Sequence, residues 1–377
     1  MNDTPVANRI HIAFFGLRNA GKSTLINSFC GQPVAIVSDT PGTTTDPVSK
    51  TMEILPLGPC VITDTAGLDD EGELGELRVR KSLEVLAVAD IAVWVDDPQA
   101  LDVVRRQMVA DECKRRRIVF VVYQRGDSVE ELKQKIAAVR LTEPDPGLLD
   151  GLVADGMRVV LVCPIDESAP RGRLILPQVQ VLRACLDHHL MTTVCQVPEL
   201  SRVLGQLAAG TGPVLVITDS QAFREVKSTV EAASLPQVRL TSFSVLFARQ
   251  KGNLDAYCEG LAAVRGLKSG DTVLIAEACT HHRQCNDIGS TKIPKALEKI
   301  SGASPLTCVF ASGKAFELPG DSSVKLVVHC GGCMITRREM QRRIELSKAA
   351  NVPIVNYGIL LAAAAGIDIR SLAACGK

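Results

Sequence analysis

The sequence predicts an α/β protein: a first domain built on a mainly parallel sheet, followed by two smaller α/β domains. Three observations predict it. From residue 10 onward, short β-rich runs alternate with helical stretches, the pattern of βαβ units around a parallel sheet. A glycine-rich segment of the form GxxxxGK[ST] joins the first strand to an amphipathic helix. The 377 residues exceed one ordinary core and suit two or three domains.

In chain order, the first domain is expected over residues 1–177, with strands at Ile10–Phe15, Cys60–Thr63, Ile91–Val95, Ile118–Tyr123 and Val159–Val162. The second, residues 178–267, has strands at Val214–Thr218 and Val238–Ser242, with helices before, between and after them, and no visible nucleotide or metal chemistry. The third, residues 268–377, opens with the strand Thr272–Ala276. It continues with a strand at Lys325–His329, a helix over Arg337–Ala350 and a short strand Pro353–Asn356. There is no fixed-period repeat and no low-complexity linker.

Composition narrows the function classes. Lys plus Arg equals Asp plus Glu at 42 each, whereas proteins that grip nucleic acid through many phosphates carry a basic excess. No nucleic-acid partner is expected. The run Lys114-Arg115-Arg116-Arg117 reads as the solvated C-terminal end of a helix, where cations favour the dipole. The first ten residues are polar, without a signal-peptide apolar region. The apolar run Ile359–Ile367 is too short to span a bilayer. The expectation is a cytoplasmic protein without membrane attachment. Thirteen cysteines in that setting argue against a disulfide framework. Most, such as Cys60, Cys163, Cys195 and Cys308, read as small buried hydrophobes; a few are candidate ligands.

The strongest motif is Gly16-Leu17-Arg18-Asn19-Ala20-Gly21-Lys22-Ser23. Between a strand and a helix it is a phosphate-binding loop, whose glycines let the backbone N–H groups point inward at phosphate. Gly16, Asn19, Ala20, Gly21, Lys22, Ser23 and Thr24 are the candidate nucleotide contacts. Lys22 is expected on the β- and γ-phosphates and Ser23 on magnesium. Pro41-Gly42-Thr43-Thr44-Thr45-Asp46 resembles the switch I segment of translation-factor-type GTPases, with Thr44 the candidate second magnesium contact. Asp64-Thr65-Ala66-Gly67 matches the DxxG switch II motif, with Asp64 in the magnesium shell and the Gly67 N–H at the γ-phosphate. No catalytic glutamine follows; Leu68 stands there, and slow intrinsic hydrolysis is expected. The base-reading stretch Gln124-Arg125-Gly126-Asp127 keeps the carboxylate for guanine, while Gln124 and Arg125 replace the usual Asn and Lys. Arg125 can still stack on a base. Val162-Cys163-Pro164 stands where a Ser-Ala base loop is expected. Asn19 resembles the P-loop Asn of potassium-activated GTPases related to Era and the tRNA-modifying GTPase, which implies a potassium ion beside the phosphates.

A second constellation lies in the third domain. Cys279-Thr280-His281 follows one strand and His329-Cys330-Gly331-Gly332-Cys333 follows another. Both lie at C-terminal strand ends, where α/β sheets bind ligands, and the paired glycines allow the tight turn of a CxxC chelate. Three readings stand open: buried or incidental cysteines, a Cys3His zinc site, and a 4Fe-4S cluster held by three cysteines with one exchangeable ligand. Cys285 lies close by but outside the pattern.

Cys-x-His, then 47 residues, then His-Cys-x-x-Cys, joined to an N-terminal GTPase, resembles the FeFe-hydrogenase maturation GTPases known as HydF. The phrases Glu277-Ala278-Cys279-Thr280-His281-His282, Asp287-Ile288-Gly289 and Asn356-Tyr357-Gly358 share the likeness, which spans the chain. The resemblance implies a homodimer formed through the middle domain; the apolar strand Val214–Thr218 is the one expected to extend a sheet across a two-fold axis, satisfying an open edge. It implies a 4Fe-4S cluster on Cys279, Cys330 and Cys333, with His281, His329 or a carboxylate from elsewhere as the possible exchangeable ligand. It further implies a transient diiron cluster received from two radical-SAM maturases and passed to apo FeFe-hydrogenase, with GTP hydrolysis governing partner exchange. An RNA-modification or ribosome-assembly GTPase with a structural zinc domain explains the N-terminal half equally well and leaves the third domain unexplained.

Overall fold

The computed structural model describes residues 6–31, 48–68, 72–99, 101–140, 146–165, 172, 174–210, 212–278, 288–313, 316, 318 and 323–366. The chain divides into two compact units, residues 1–144 and 145–377.

The first unit runs β1 (Ile10–Gly16), α1 (Lys22–Cys30), β2 (Val48–Ile54), β3 (Gly58–Asp64), α2 (Gly72–Val88), β4 (Ile91–Asp96), α3 (Val103–Arg115), β5 (Val119–Gln124) and α4 (Val129–Ala137). The sheet order is β2-β3-β1-β4-β5, parallel except for β2, which pairs antiparallel with β3. A strand covered on both faces needs an apolar run, and residues 12–15 of β1 form such a run, buried throughout. Ile12 and Phe14 point to a core shared with Leu25, Ile26 and Phe29 of α1. Ala13 and Phe15 point to the opposite core with Trp94, Val109 and Cys113. The Phe14 and Phe29 rings meet edge-on at 5.7 Å, the geometry favoured by aromatic quadrupoles. Helix starts follow local chemistry: the Asp102 carboxylate accepts from the Arg105 N–H at the head of α3, and the Ser128 hydroxyl from the Glu131 N–H at the head of α4. The basic run closes α3 as expected, with Arg115 and Arg116 both paired to Glu112.

The second unit holds two fully parallel four-stranded sheets. The first comprises β6 (Arg158–Val162), α5 (Leu176–Asp187), β7 (Met191–Cys195), α6 (Leu200–Leu207), β8 (Val214–Thr218), α7 (Phe223–Ala233), β9 (Val238–Ser242) and α8 (Phe243–Lys251), with strand order β7-β6-β8-β9. The second comprises α9 (Leu254–Val264), β10 (Thr272–Glu277), α10 (Ile293–Ser301), β11 (Thr307–Ser312), β12 (Val324–His329), α11 (Arg337–Ala349), β13 (Ile354–Asn356) and α12 (Tyr357–Ala364), with order β11-β10-β12-β13. Gly260 lets α9 lie directly on β13: a Cβ there would sit 2.0 Å from the Ile354 carbonyl oxygen.

Three expectations change. The strand at Val159–Val162 does not end the first domain. It sits between β7 and β8 in the first sheet of the second unit, so the boundary drawn at 177 falls inside that unit. Val162-Cys163-Pro164 therefore leaves a strand of a different sheet, the Cys163 N–H donating to the Cys195 carbonyl, and is no base loop of the first domain. Val214–Thr218 is an interior strand, buried along its whole length. It has no open edge to offer a partner; the edges of that sheet are β7 and β9. Strands β2, β7 and β11 were not anticipated. Each mixes polar and apolar residues at an edge, where no second face demands an apolar run.

Candidate functional site

In the first unit the loop between β1 and α1 is set by its glycines. Gly16 lies against β4, where a Cβ would be 2.6 Å from the Val95 carbonyl oxygen. Gly21, at φ 86°, opens α1 in the left-handed region that glycine enters without strain. Asn19 also has a left-handed φ of 59° and is exposed. Asn tolerates that conformation better than most residues, so the backbone alone gives a reason for Asn there, independent of any cation. Ala20 is buried beneath the loop.

Lys22 is buried and folds back over the loop, its ammonium donating to the Leu17 carbonyl at 2.7 Å and the Gly16 carbonyl at 3.3 Å. The Ser23 hydroxyl donates to Asp64 Oδ2 at 2.6 Å. Burial raises the Asp64 carboxyl above its ordinary range, against the Ser23 hydroxyl, the Lys22 charge and the Thr65 N–H, which pull it down. Asp64 Oδ1 is buried without a hydrogen-bond partner among the described residues. An orphaned carboxylate oxygen beside a serine hydroxyl is a donor set that suits a magnesium ion. Gly67 is buried, and the next residue, Leu68, packs into the core with Phe15 and Trp94 while its N–H donates to the Gly16 carbonyl. Leu68 is thus held in the core, in keeping with the absence of a catalytic side chain at that position. Thr44 and the segment 41–46 lie outside the described residues.

The base-reading stretch leaves β5 beside β4. The Arg125 N–H donates to the Asp96 carbonyl, and Gly126 turns at φ 105°. Asp127 Oδ2 accepts from the Gln124 N–H at 3.1 Å, and the Tyr123 hydroxyl donates to the Asp127 carbonyl. The Arg125 guanidinium pairs with Asp97 at 3.0 Å. A Cβ at Gly21 would lie 3.8 Å from Arg125 Nε, so the phosphate loop and the base-reading loop are neighbours. Asp96 is a missed structural residue: buried, it accepts from Trp94 Nε1 and from Arg106, both at 2.6 Å.

In the second unit the two cysteine segments emerge side by side. Ala276 of β10 is in register with His329 of β12. The Cys330 N–H donates to the Ala276 carbonyl at 2.9 Å, and the Ala278 N–H reaches Cys330 Sγ at 3.1 Å. Ala278 is followed immediately by Cys279, which with His281 lies outside the described residues. Among the described residues no three potential metal ligands come together. Cys330 and Cys333 are half-buried. Burial raises the Cys333 thiol, partly offset by the Lys251 charge. An amide donating to sulfur, adjacent glycines and a nearby cation form a setting suited to thiolates that ligate iron.

His329, expected as a possible ligand, sits beneath this turn. It is wholly buried, Nδ1 bonded to the Cys330 carbonyl at 2.7 Å and Nε2 facing Arg343 Nη1 at 3.0 Å. Arg343 can only donate, so Nδ1 carries the proton and Nε2 is the acceptor. Burial, with the Arg343 charge, lowers its pKa to about 4 against the Cys330 carbonyl, keeping the ring neutral. Both nitrogens are occupied, and the ring buttresses the turn. Arg343 itself also donates to Gly313 and Glu339 and lies 5.2 Å from the Phe316 ring centre. Asn356, which caps α12 through the Gly358 N–H, reaches the same Cys330 carbonyl at 3.4 Å. Sequence reasoning missed Lys251 and Arg343. For Arg343 a signal existed in Thr336-x-x-Glu339, which starts α11 and places Arg343 one turn after Glu339 on the same face; for Lys251 there was none. Cys60 and Cys163 are buried as anticipated; Cys195 and Cys308 are only half-buried.

Three family matches divide the chain. Residues 11–125 match the family described as a 50S ribosome-binding GTPase, residues 148–252 the hydrogen maturase F dimerization domain, and residues 255–374 the hydrogen maturase F tetramerization domain. A tRNA modification GTPase, MnmE, of Endomicrobium trichonymphae is 37% identical over 111 residues, 28% of this chain and 24% of that protein. GTPase Der of Lachnospira eligens is 35% identical over 124 residues, 32% of this chain and 28% of that protein. The chain thus spans under a third of either relative. Among solved structures, a variant of Aquifex aeolicus Era bound to GDP.AlF4- is 15% identical, with 89% of this chain and 97% of that one covered, at a TM-score of 0.27, too loose a superposition to add to the fold.

Proposed function

Because its GTPase domain is followed by the dimerization and tetramerization domains of hydrogen maturase F, the chain belongs to the hydrogen maturase F family, and we propose that it is a GTP-hydrolysing scaffold for an iron–sulfur centre. In this reading it binds a 4Fe-4S cluster through Cys279, Cys330 and Cys333. It accepts the diiron precursor of the hydrogenase active site from two radical-SAM maturases and delivers that cargo to apo FeFe-hydrogenase. The observation that carries the cluster reading is the juxtaposition of the two cysteine segments: the amide next to Cys279 donates to Cys330 Sγ.

The residues divide the work. Lys22 exchanges its loop carbonyls for the β- and γ-phosphates of GTP, and N–H groups of the loop from Gly16 to Thr24 would cradle them. Ser23 and Asp64, with Thr44, hold the magnesium ion, which supplies the positive charge that the phosphate oxygens need. The Gly67 N–H meets the γ-phosphate. Asn19 holds potassium, Asp127 reads guanine, and Gln124 and Arg125 frame the base. Slow hydrolysis suits a switch that times partner exchange. In the second unit, the two glycines of the CxxC turn and the Ala278 N–H shape the thiolate pocket. The cluster supplies an iron with an exchangeable position; His281 is the candidate for that position, since His329 is engaged by Arg343. A homodimer forms through the edge strand β7, where Met191 and Val194 are exposed and an open strand edge invites pairing. No helix among the described residues is long and apolar enough to cross a membrane, and the cytoplasm is the proposed location.

The test is anaerobic purification with metal analysis, absorption and EPR spectra, alongside GTP hydrolysis. A brown protein with iron that is lost in both Cys330→Ser and Cys333→Ser, while hydrolysis persists, supports the reading. A colourless protein with stoichiometric zinc overturns it. Lys22→Ala should lower hydrolysis by orders of magnitude and leave iron content unchanged.

A further inference from the structure

Lys251 ends α8, the helix that closes the middle sheet, and is buried with 3% exposure. A lysine is almost never so placed unless its charge is engaged. Its ammonium donates to three backbone carbonyls of one turn: Ile335 at 2.8 Å, Gly332 at 3.1 Å and Cys333 at 3.3 Å. It also lies 5.4 Å from the centre of the Phe247 ring, a cation–π distance. Three donors therefore meet three acceptors on the turn that carries Cys333. The contact is reciprocated: Gln341 of α11 donates to the Lys251 and Gly252 carbonyls, both at 2.9 Å. Gly332, at φ 65°, bends the chain so that these carbonyls face the helix end. Cys333 itself packs against the core of the middle sheet, a cluster that includes Phe247 and Leu246. The turn that follows the third domain's strand is thus fastened from the middle domain.

We propose that Lys251 is the positioning residue of the cluster turn: it fixes the backbone around Cys333 and sets a buried positive charge beside the thiolate–iron group. The inference rests on the cluster reading above. A cation in a poorly hydrated site favours the more negative, reduced state of a neighbouring redox group. Neutralising it makes the cluster harder to reduce. The fastening also gives the middle domain a physical handle on the cluster turn, since any shift of α8 moves the ammonium that holds it.

The experiment uses the full chain as wild type, Lys251→Met, Lys251→Gln and Lys251→Arg, each reconstituted anaerobically with ferrous iron and sulfide. Iron release to a chelator is timed, and the reduced signal is followed by EPR during a dithionite redox titration. In Lys251→Met, iron release should be about ten-fold faster, because the turn loses its three donors. The reduced-to-oxidised ratio at fixed potential should fall about ten-fold, equivalent to about 59 mV for one electron. Lys251→Arg should restore the potential. Faster release at a wild-type potential makes Lys251 a structural strut and overturns the proposal. Should Lys251→Met not fold, Lys251→Gln, which keeps two donors without the charge, decides by the same shift. A wild type without an iron–sulfur spectrum overturns the cluster reading and this inference with it. A wild-type spectrum with unshifted neutral variants overturns this inference alone.

Discussion

Replacing His329 by leucine separates two roles for this side chain, ligand or strut. The ring is wholly buried, donates to the Cys330 carbonyl at 2.7 Å and accepts from Arg343 at 3.0 Å. Leucine fills a similar volume, so the packing loss is small. The bond to the charged guanidinium contributes about 1.5–3 kcal/mol, and the Cys330 carbonyl loses its short donor, about 1 kcal/mol more. Arg343 keeps Glu339 and Gly313, and Asn356 still reaches the carbonyl, which limits the total to about 2–4 kcal/mol. Under rapid-equilibrium opening that corresponds to roughly 30- to 1,000-fold faster amide exchange in β12 and α11. The assay is hydrogen–deuterium exchange resolved by peptide, with Trp94 fluorescence as a control. Trp94 is the only tryptophan and lies in the first unit, so its signal should not change. The EPR spectrum of whatever cluster remains should keep its wild-type form, since no iron ligand has been removed. Unchanged protection in β12 together with an altered spectrum would refute the strut and restore His329 as a ligand.

Three further outcomes follow from other parts of the molecule. GTP hydrolysis should be faster in potassium than in sodium at equal ionic strength, and Asn19→Gly, which keeps the left-handed backbone, should remove that difference. Equal salt dependence in wild type and variant would leave Asn19 a purely conformational residue. On β7, Val194→Lys should shift the protein toward monomer in light scattering because a lysine blunts an open edge, and an unchanged dimer would place the interface elsewhere. Burial pushes the Cys60 thiol to about 11 and the Cys113 and Cys163 thiols to about 12. Iodoacetamide at pH 8 should therefore leave these three unmodified in the native protein by mass spectrometry, and prompt alkylation of Cys113 would contradict its burial.

What the sequence determined by itself was whatever depends on neighbours in the chain. The phosphate loop is written in consecutive residues, because its glycines and Lys22 act on a ligand held by a single strand-to-helix turn. The apolar runs within β1, β3, β4, β6, β8, β10 and β12 are equally plain, because the part of a strand that is covered on both faces is apolar. Partnership between strands was not legible. Val159–Val162 reads the same whether it closes the first sheet or sits inside the second, since its side chains meet apolar neighbours in either place; only the pairing with β7 and β8 assigns it. The same loss of information made Val214–Thr218 look like an edge, although full burial on both faces marks an interior strand. At the cysteine site, spacing in the chain found the thiols, yet gave His329 the same standing as His281. The hydrogen bonds that occupy its two nitrogens come from Cys330 and from Arg343, fourteen residues away on α11. Lys251 is farther still, 81 residues from Gly332. A buried ammonium is stable only where three carbonyls converge on it, and that convergence exists only once α8 and the CxxC turn have packed together.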